Sequence, residues 1–173
     1  MKIISEKRAL ARLSEIKEEL RVTVAPFEAN AKSCLTCETP GSCCLDAHFV
    51  NVRISRLEAV AFRKRIESLE EEQRVDVLGR IDAAIEEHGL AADRDVFEQK
   101  FACPLFEKGT GCLVHEHGKP AACIVHACYE RKDDLPPSGL QFEADLKVDK
   151  LNTRTYGAPQ PWLPIPLAIK RAG

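Results

Sequence analysis

Residues 34–44 read Cys34-Leu35-Thr36-Cys37-Glu38-Thr39-Pro40-Gly41-Ser42-Cys43-Cys44, and a second cysteine-rich stretch runs Cys103-x8-Cys112-x10-Cys123-x4-Cys128. Together they hold all eight cysteines of the 173-residue chain. A Cys-x2-Cys pair lets two thiolates of one tight loop converge on a single metal ion or cluster, which is why it recurs in zinc and iron–sulfur sites. Thr39-Pro40-Gly41-Ser42 is turn chemistry, so 34–45 reads as a loop. Neighbouring side chains of extended backbone point to opposite sides. Cys43 and Cys44 therefore either divide their roles, one ligating and one packing as a small hydrophobe, or serve two sites. The predicted fold is a helix-rich α+β single domain, with few short strands and two Cys-rich loops converging on a metal site.

Composition narrows the chemistry. Eight cysteines in 173 residues is roughly 5%, below the ~8–10% of a small disulfide scaffold. The start, Met1-Lys2-Ile3-Ile4-Ser5-Glu6-Lys7-Arg8, reaches charge before an apolar signal core can form, which predicts a cytoplasmic setting. In a reducing compartment, clustered cysteines are metal ligands or redox groups more often than bridges. With 25 Lys+Arg against 27 Asp+Glu, the formal charge of −2 argues against non-specific nucleic-acid binding. No apolar run approaches the ~20 residues of a membrane span.

Working outward, Leu10, Leu13, Ile16 (or Lys17) and Leu20 recur at helical spacing and predict an amphipathic helix over 5–24, interrupted at Pro26. Val50, Val52 and Ile54 alternate with Asn51 and Arg53, predicting a short half-buried strand over 48–54. Ser55 and Glu58 form a capping box opening a helix to about 66 or 67. Ser68 and Glu71 suggest a second box. The helix after it has Val75, Leu78, Ile81 and Ile85 on one face and Gly89 as its stop. Glu70-Glu71-Glu72 reads as a solvated first turn that suits the helix dipole. Pro120 at a helix N1 position predicts helix over 121–131. After Asp134 the periodicity is poor and prolines recur, so 155–173 reads as a tail anchored by Tyr156 and Trp162, docked on the surface or reaching a partner. The chain thus divides into an N-terminal helix (1–33), a cysteine-cluster metal-binding region (34–131) and a proline-rich wrapping tail (132–173).

Thiolate-only ligation suits zinc or an iron–sulfur cluster. The wide spacing of the second block favours a cluster caged by several loops over a zinc ribbon, whose halves are short Cys-x2-4-Cys knuckles. His115, His117 and His126 lie among these cysteines, so a Cys/His zinc site stays open.

The first block, followed by Val50-Asn51-Val52-Arg53-Ile54 and Leu57-Glu58-Ala59, resembles the YkgJ-like cysteine-cluster family. The second block agrees: Cys103-Pro104-Leu105-Phe106, Gly111-Cys112-Leu113-Val114-His115 and Lys119-Pro120-Ala121-Ala122-Cys123 follow the family's motif order. The likeness covers about 34–128. His115 stands where the family has Tyr and Lys119 where it has Arg, and one extra residue separates Cys112 from the Lys-Pro pair. These departures leave the cysteine framework intact and put any role of the Tyr and Arg positions in question. The family is described as zinc- or iron-chelating, or as holding Fe–S clusters. The resemblance implies that Cys34, Cys37, Cys43, Cys44, Cys103, Cys112 and Cys123 are metal ligands, and spacing adds Cys128.

The leading expectation is an iron–sulfur protein of the [4Fe–4S] type, for electron transfer or redox sensing with a protein redox partner. The alternatives are a Zn2+-structured interaction module and a thiol- or cluster-dependent oxidoreductase using Cys34 and Cys37. Flagellin lysine methylases hold a related cysteine cluster, but this chain shows no Gly-rich cofactor loop and no Cys-x3-Cys-x2-Cys triplet. No catalytic residue is assigned, and the oligomeric state is left open.

Overall fold

A computed structural model describes residues 3–32, 44, 52–91, 99, 101–107, 110–116, 118–129 and 131–173. The order of elements is α1 (Glu6–Glu28), β1 (Ala31–Lys32), β2 (Arg53–Ile54), α2 (Arg56–Glu67), α3 (Glu71–Glu87), β3 (Phe106–Glu107), β4 (Gly111–Cys112), α4 (Ala121–Ile124), β5 (Cys128–Tyr129), a 3-10 turn (Lys132–Asp134), α5 (Ser138–Tyr156), β6 (Leu163–Pro164) and α6 (Ile165–Arg171). The architecture is helix-rich α+β, its strands paired as three two-stranded antiparallel ladders among the described residues. Contacts group the chain into two compact units, one of Met1–Pro40 and Glu116–Gln160, the other of Gly41–His115 and Pro161–Gly173. Among the described residues, no helix is long and apolar enough to cross a membrane.

The first unit is built on α1 and α5, which pair in opposite senses. Ile4 N–H reaches Arg154 C=O at 3.2 Å, Tyr156 Oη donates to Glu6 Oε2 at 3.1 Å, and Lys147 meets Glu19. The buried stripe of α1 is Ala9, Leu13, Ile16, Lys17, Leu20 and Val24; it holds the predicted Leu13, Ile16, Lys17 and Leu20, while Ala9 is buried in place of the predicted Leu10, which is half-buried. α4 packs against this pair, placing Ala121 and Ile124 among Leu20, Val24 and Ala144. β1 lies antiparallel to β5, with Ala31 opposite Tyr129 and Lys32 opposite Cys128.

The second unit has a larger core, drawn from α2, α3, α6, β2, β6 and the β3–β4 hairpin: Phe62, Ile66, Val77, Ile81, Leu105 and Ile169 are all nearly inaccessible. The capping box forms as predicted. Ser55 Oγ accepts Glu58 N–H at 3.3 Å, and Glu58 Oε2 accepts from Ser55 N–H and Oγ at 2.9 Å, all of it buried. β2 pairs with β6, Ile54 opposite Leu163, and Arg53 Nε donates to Trp162 C=O at 3.0 Å. Pro164 lacks an N–H, and Ile165 N–H makes the next bond, to Val52 C=O at 3.1 Å.

Several local expectations are corrected. α1 continues through Pro26 to Glu28, the proline forgoing only the one i→i−4 bond that its missing N–H would have made. Ser68 does not open α3. It closes α2, its N–H bonded to Lys64 and Arg65 C=O and its Oγ to Arg65 C=O at 2.7 Å, while Glu70 at the N-cap of α3 makes no side-chain capping bond. The buried face of α3 carries Val77 and Ile81, with Leu78 and Ile85 beside them, and Val75 is 60% exposed. Gly89 ends α3 with φ +56°, the left-handed conformation a helix stop requires. The helix expected over 121–131 is the single turn α4, because the chain then leaves to pair with β1. Pro120 stands at the N-cap of that turn instead of N1. The stretch after Asp134 is helical despite its poor apolar periodicity: α5 has 19 residues, and α6 buries Ile165, Pro166, Leu167, Ala168 and Ile169. Of the 48–54 strand, Arg53 and Ile54 are found, Val52 precedes them without strand pairing, and 48–51 lie outside the described residues.

Candidate metal centre

In the second unit, Cys103 N–H donates to Cys44 C=O at 2.8 Å, a direct bond between the end of the first cysteine block and the start of the second. Cys103 C=O accepts Phe106 N–H at 3.0 Å, closing a turn with Pro104 at the position where its fixed φ fits. Phe106 then pairs with Cys112 and Glu107 with Gly111, whose φ of +96° lets the chain reverse without Cβ strain. Leu113 N–H to Leu105 C=O at 2.9 Å extends the hairpin. Cys103 and Cys112 are half-buried against the core that contains Leu105 and Leu113. Cys112 C=O accepts His115 N–H at 3.0 Å, so both residues belong to one turn.

Helices α2 and α3 grip this hairpin through side chains. Arg80 Nε donates to Pro104 C=O at 3.0 Å, one residue past Cys103, and Arg65 Nε to Leu113 C=O at 3.3 Å, one residue past Cys112. Gln73 bonds the Glu107 carboxylate. Arg80 Nη2 is buried and has no acceptor among the described residues.

In the first unit, Pro120 C=O accepts the N–H groups of Cys123 at 2.9 Å and Ile124 at 3.0 Å, starting the turn that carries half-buried Cys123. The turn is approached through Gly118, whose C=O accepts a bond from buried Lys17 Nζ at 2.8 Å. The β1–β5 register fixes the backbone of Cys128 opposite Lys32, two residues before Cys34 in the sequence. His126 titrates below the usual imidazole range, first through desolvation and second through the Lys119 ammonium. That favours the neutral imidazole, the form able to ligate a metal. Burial, and then the nearby Glu28 carboxylate, raise the Tyr129 phenol above its ordinary value.

The structure thus brings Cys44, Cys103 and Cys112 into one unit, and Cys123 and Cys128 into the other. Cys34, Cys37, Cys43 and His117 lie outside the described residues. Among the described residues, no three His, Cys, Asp or Glu side chains gather closely enough to hold a metal ion. The donors that are described fit a thiophilic metal in kind. They are soft sulfur ligands, and an unsatisfied guanidinium N–H lies on the residue that grips the backbone beside Cys103. The sequence reading missed Lys17, Arg65 and Arg80. Their helical positions were legible, but bonds to carbonyls many residues away leave no local spacing signal. No known protein family, curated protein or solved structure matches this chain.

Proposed function

We propose that this chain is a metal-binding protein whose cysteines hold an iron–sulfur cluster of the [4Fe–4S] type, used for electron transfer or redox sensing with a protein partner in the reducing cytoplasm. The observation that carries the reading is the Cys44–Cys103 backbone bond, which sets two candidate ligands from distant parts of the sequence side by side. A thiolate-bound cluster needs ligands from several loops, and a contact between the two blocks supplies the means. When bound, the cluster supplies one-electron exchange. The chain's own part is to hold the thiols in register on the β3–β4 hairpin and, through Leu105 and Leu113, to back Cys103 and Cys112 with apolar side chains.

Anaerobic purification with iron, sulfide and zinc quantified tests it. Brown protein with a visible charge-transfer band and matched iron and sulfide is expected, and Cys103→Ser should lose both. Colourless protein carrying zinc alone sinks the cluster reading. Zinc is the second reading, an interaction module folded by Zn2+, and the shared turn of Cys112 and His115 favours it as a Cys-x2-His pair. There, chelation should unfold the cysteine segments and no redox couple should be found.

A further inference from the structure

Cys44 and Cys103 are far apart in the sequence, yet both belong to the unit of Gly41–His115 and Pro161–Gly173. The Cys103 N–H donates directly to the Cys44 C=O at 2.8 Å. Covalent geometry on either side of that bond caps the Cα–Cα separation of the two cysteines at about 6.7 Å. A disulfide bridges Cα atoms about 4.4–6.8 Å apart, so the backbones stand within reach of one. Cys103 is well anchored: its C=O takes the Phe106 N–H at 3.0 Å, and it packs against the core that holds Leu105 and Leu113. Both cysteines are half-buried, so a small reagent in solvent can meet them. The other described cysteines are placed differently. Cys112 lies opposite Phe106 on the β3–β4 ladder, and Cys123 and Cys128 belong to the other unit. Two thiols need no third donor to react with each other, so this pair is complete within the described residues.

We infer that Cys44 and Cys103 are a dithiol–disulfide pair: exchange with a small-molecule disulfide, such as oxidised glutathione, closes a covalent bridge between the two cysteine blocks. One protein thiolate attacks a sulfur of the reagent, forming a mixed disulfide and releasing one reagent thiolate. The second protein thiolate attacks the protein-borne sulfur of that mixed disulfide and releases the other. The protein gives up two electrons and two protons; the reagent's disulfide takes the electrons, and the protons end on its two thiols. The bridge withdraws both sulfurs from any soft metal, so oxidation and metal ligation by these two residues exclude each other. The inference goes beyond the metal-binding reading and does not rest on it.

The test uses the full-length chain treated with a chelator and equilibrated with mixtures of oxidised and reduced glutathione. Thiols are trapped by acid and alkylation, the chain is digested, and linked peptides are identified by mass spectrometry. The same equilibration is run in concentrated urea. A bridge that fits the fold stabilises it, and by linkage the fold favours the bridge by the same factor. The equilibrium constant for the Cys44–Cys103 bridge is therefore expected to be about 30- to 700-fold larger in the folded chain than in urea, the equivalent of what native disulfides contribute. Cys43→Ser should keep the bridge, which separates Cys44 from its neighbour. Equal constants in the two conditions overturn the inference, because a pair that the fold holds together must gain from folding. A dominant Cys43–Cys103 or Cys103–Cys112 link overturns it as well. Either result leaves the metal-binding reading standing. A chain that forms the bridge but binds neither iron nor zinc supports the inference and sinks that reading alone.

Discussion

The two units grip their cysteine-bearing segments by related means but support them on different cores. In the unit of Met1–Pro40 and Glu116–Gln160, buried Lys17 holds Gly118 C=O ahead of Cys123, and β1 holds the backbone of Cys128. The apolar support under that turn is small and aliphatic: Leu20, Val24, Ala121, Ile124 and Ala144. In the unit of Gly41–His115 and Pro161–Gly173, two arginines hold carbonyls next to Cys103 and Cys112, and the hairpin rests on a core that includes Phe62, Ile81 and Ile169. In both, a helix-borne cation reaches a carbonyl near a cysteine. The difference lies in how much apolar burial supports each segment. A hairpin seated on a large core is positioned by hydrophobic burial. A one-turn helix on a small patch has less burial to hold it in place.

The largest expected effect tests whether that division is real. Phe62 is 1% exposed in the second unit's core, and Phe62→Ala should cost about 3–5 kcal/mol in chemical denaturation. Native-state amide exchange should show protection lost in α2, α3 and α6 before α1 and α5. Equal loss across all five helices would mean one cooperative structure, and the contrast between the cores would then carry no consequence.

A smaller effect sharpens the other side. Lys17→Met leaves buried Gly118 C=O without its amine donor, and a buried acceptor so stranded costs about 1–3 kcal/mol. Amide exchange should quicken at Cys123 and Ile124, whose N–H groups bond Pro120 C=O, with the β3–β4 hairpin unaffected. Unchanged exchange at Cys123 would remove Lys17 as the grip on that turn.

Most of what the sequence made legible was local. The capping box of Ser55 and Glu58 was readable because both partners lie within one turn, and the stripe of α1 because Leu13, Ile16, Lys17 and Leu20 recur at helical spacing. Ser68 misled for the same reason, since a serine at a helix junction satisfies the helix behind it as readily as the one ahead. Val75 fits an apolar spacing, yet Val77 is the buried one. The face of α3 is chosen by its packing against α2 and α6, which window-by-window periodicity does not contain. α5 was missed because Phe142 and Leu146 sit outward, at 64% and 42% exposed, and blur its apolar stripe. Of the candidate site, the cysteine spacing was legible. The cationic grips were not, because Lys17 lies 101 residues from its acceptor, Arg65 48 and Arg80 24.

The smallest expected effect asks whether surface charge explains the contrast instead. Each unit shows an exposed ion pair joining distant elements: Lys147 to Glu19 at 3.2 Å between α5 and α1, and Lys170 to Asp82 at 2.7 Å between α6 and α3. The side chains are comparably accessible, 56% and 49% in the first pair and 57% and 56% in the second. In water-like surroundings the difference in distance changes the Coulomb energy by only about 0.2 kcal/mol. Ordering two long side chains offsets most of the attraction, so Lys147→Ala and Lys170→Ala should each cost no more than about 1 kcal/mol. Both costs should shrink as salt is added. A distinctly larger, salt-sensitive loss for Lys147→Ala would place charge, not the aliphatic stripe, at the root of the α1–α5 pairing. Near-equal small losses leave burial as what separates the units, since a screened pair in either is too weak to set the order of a cysteine segment.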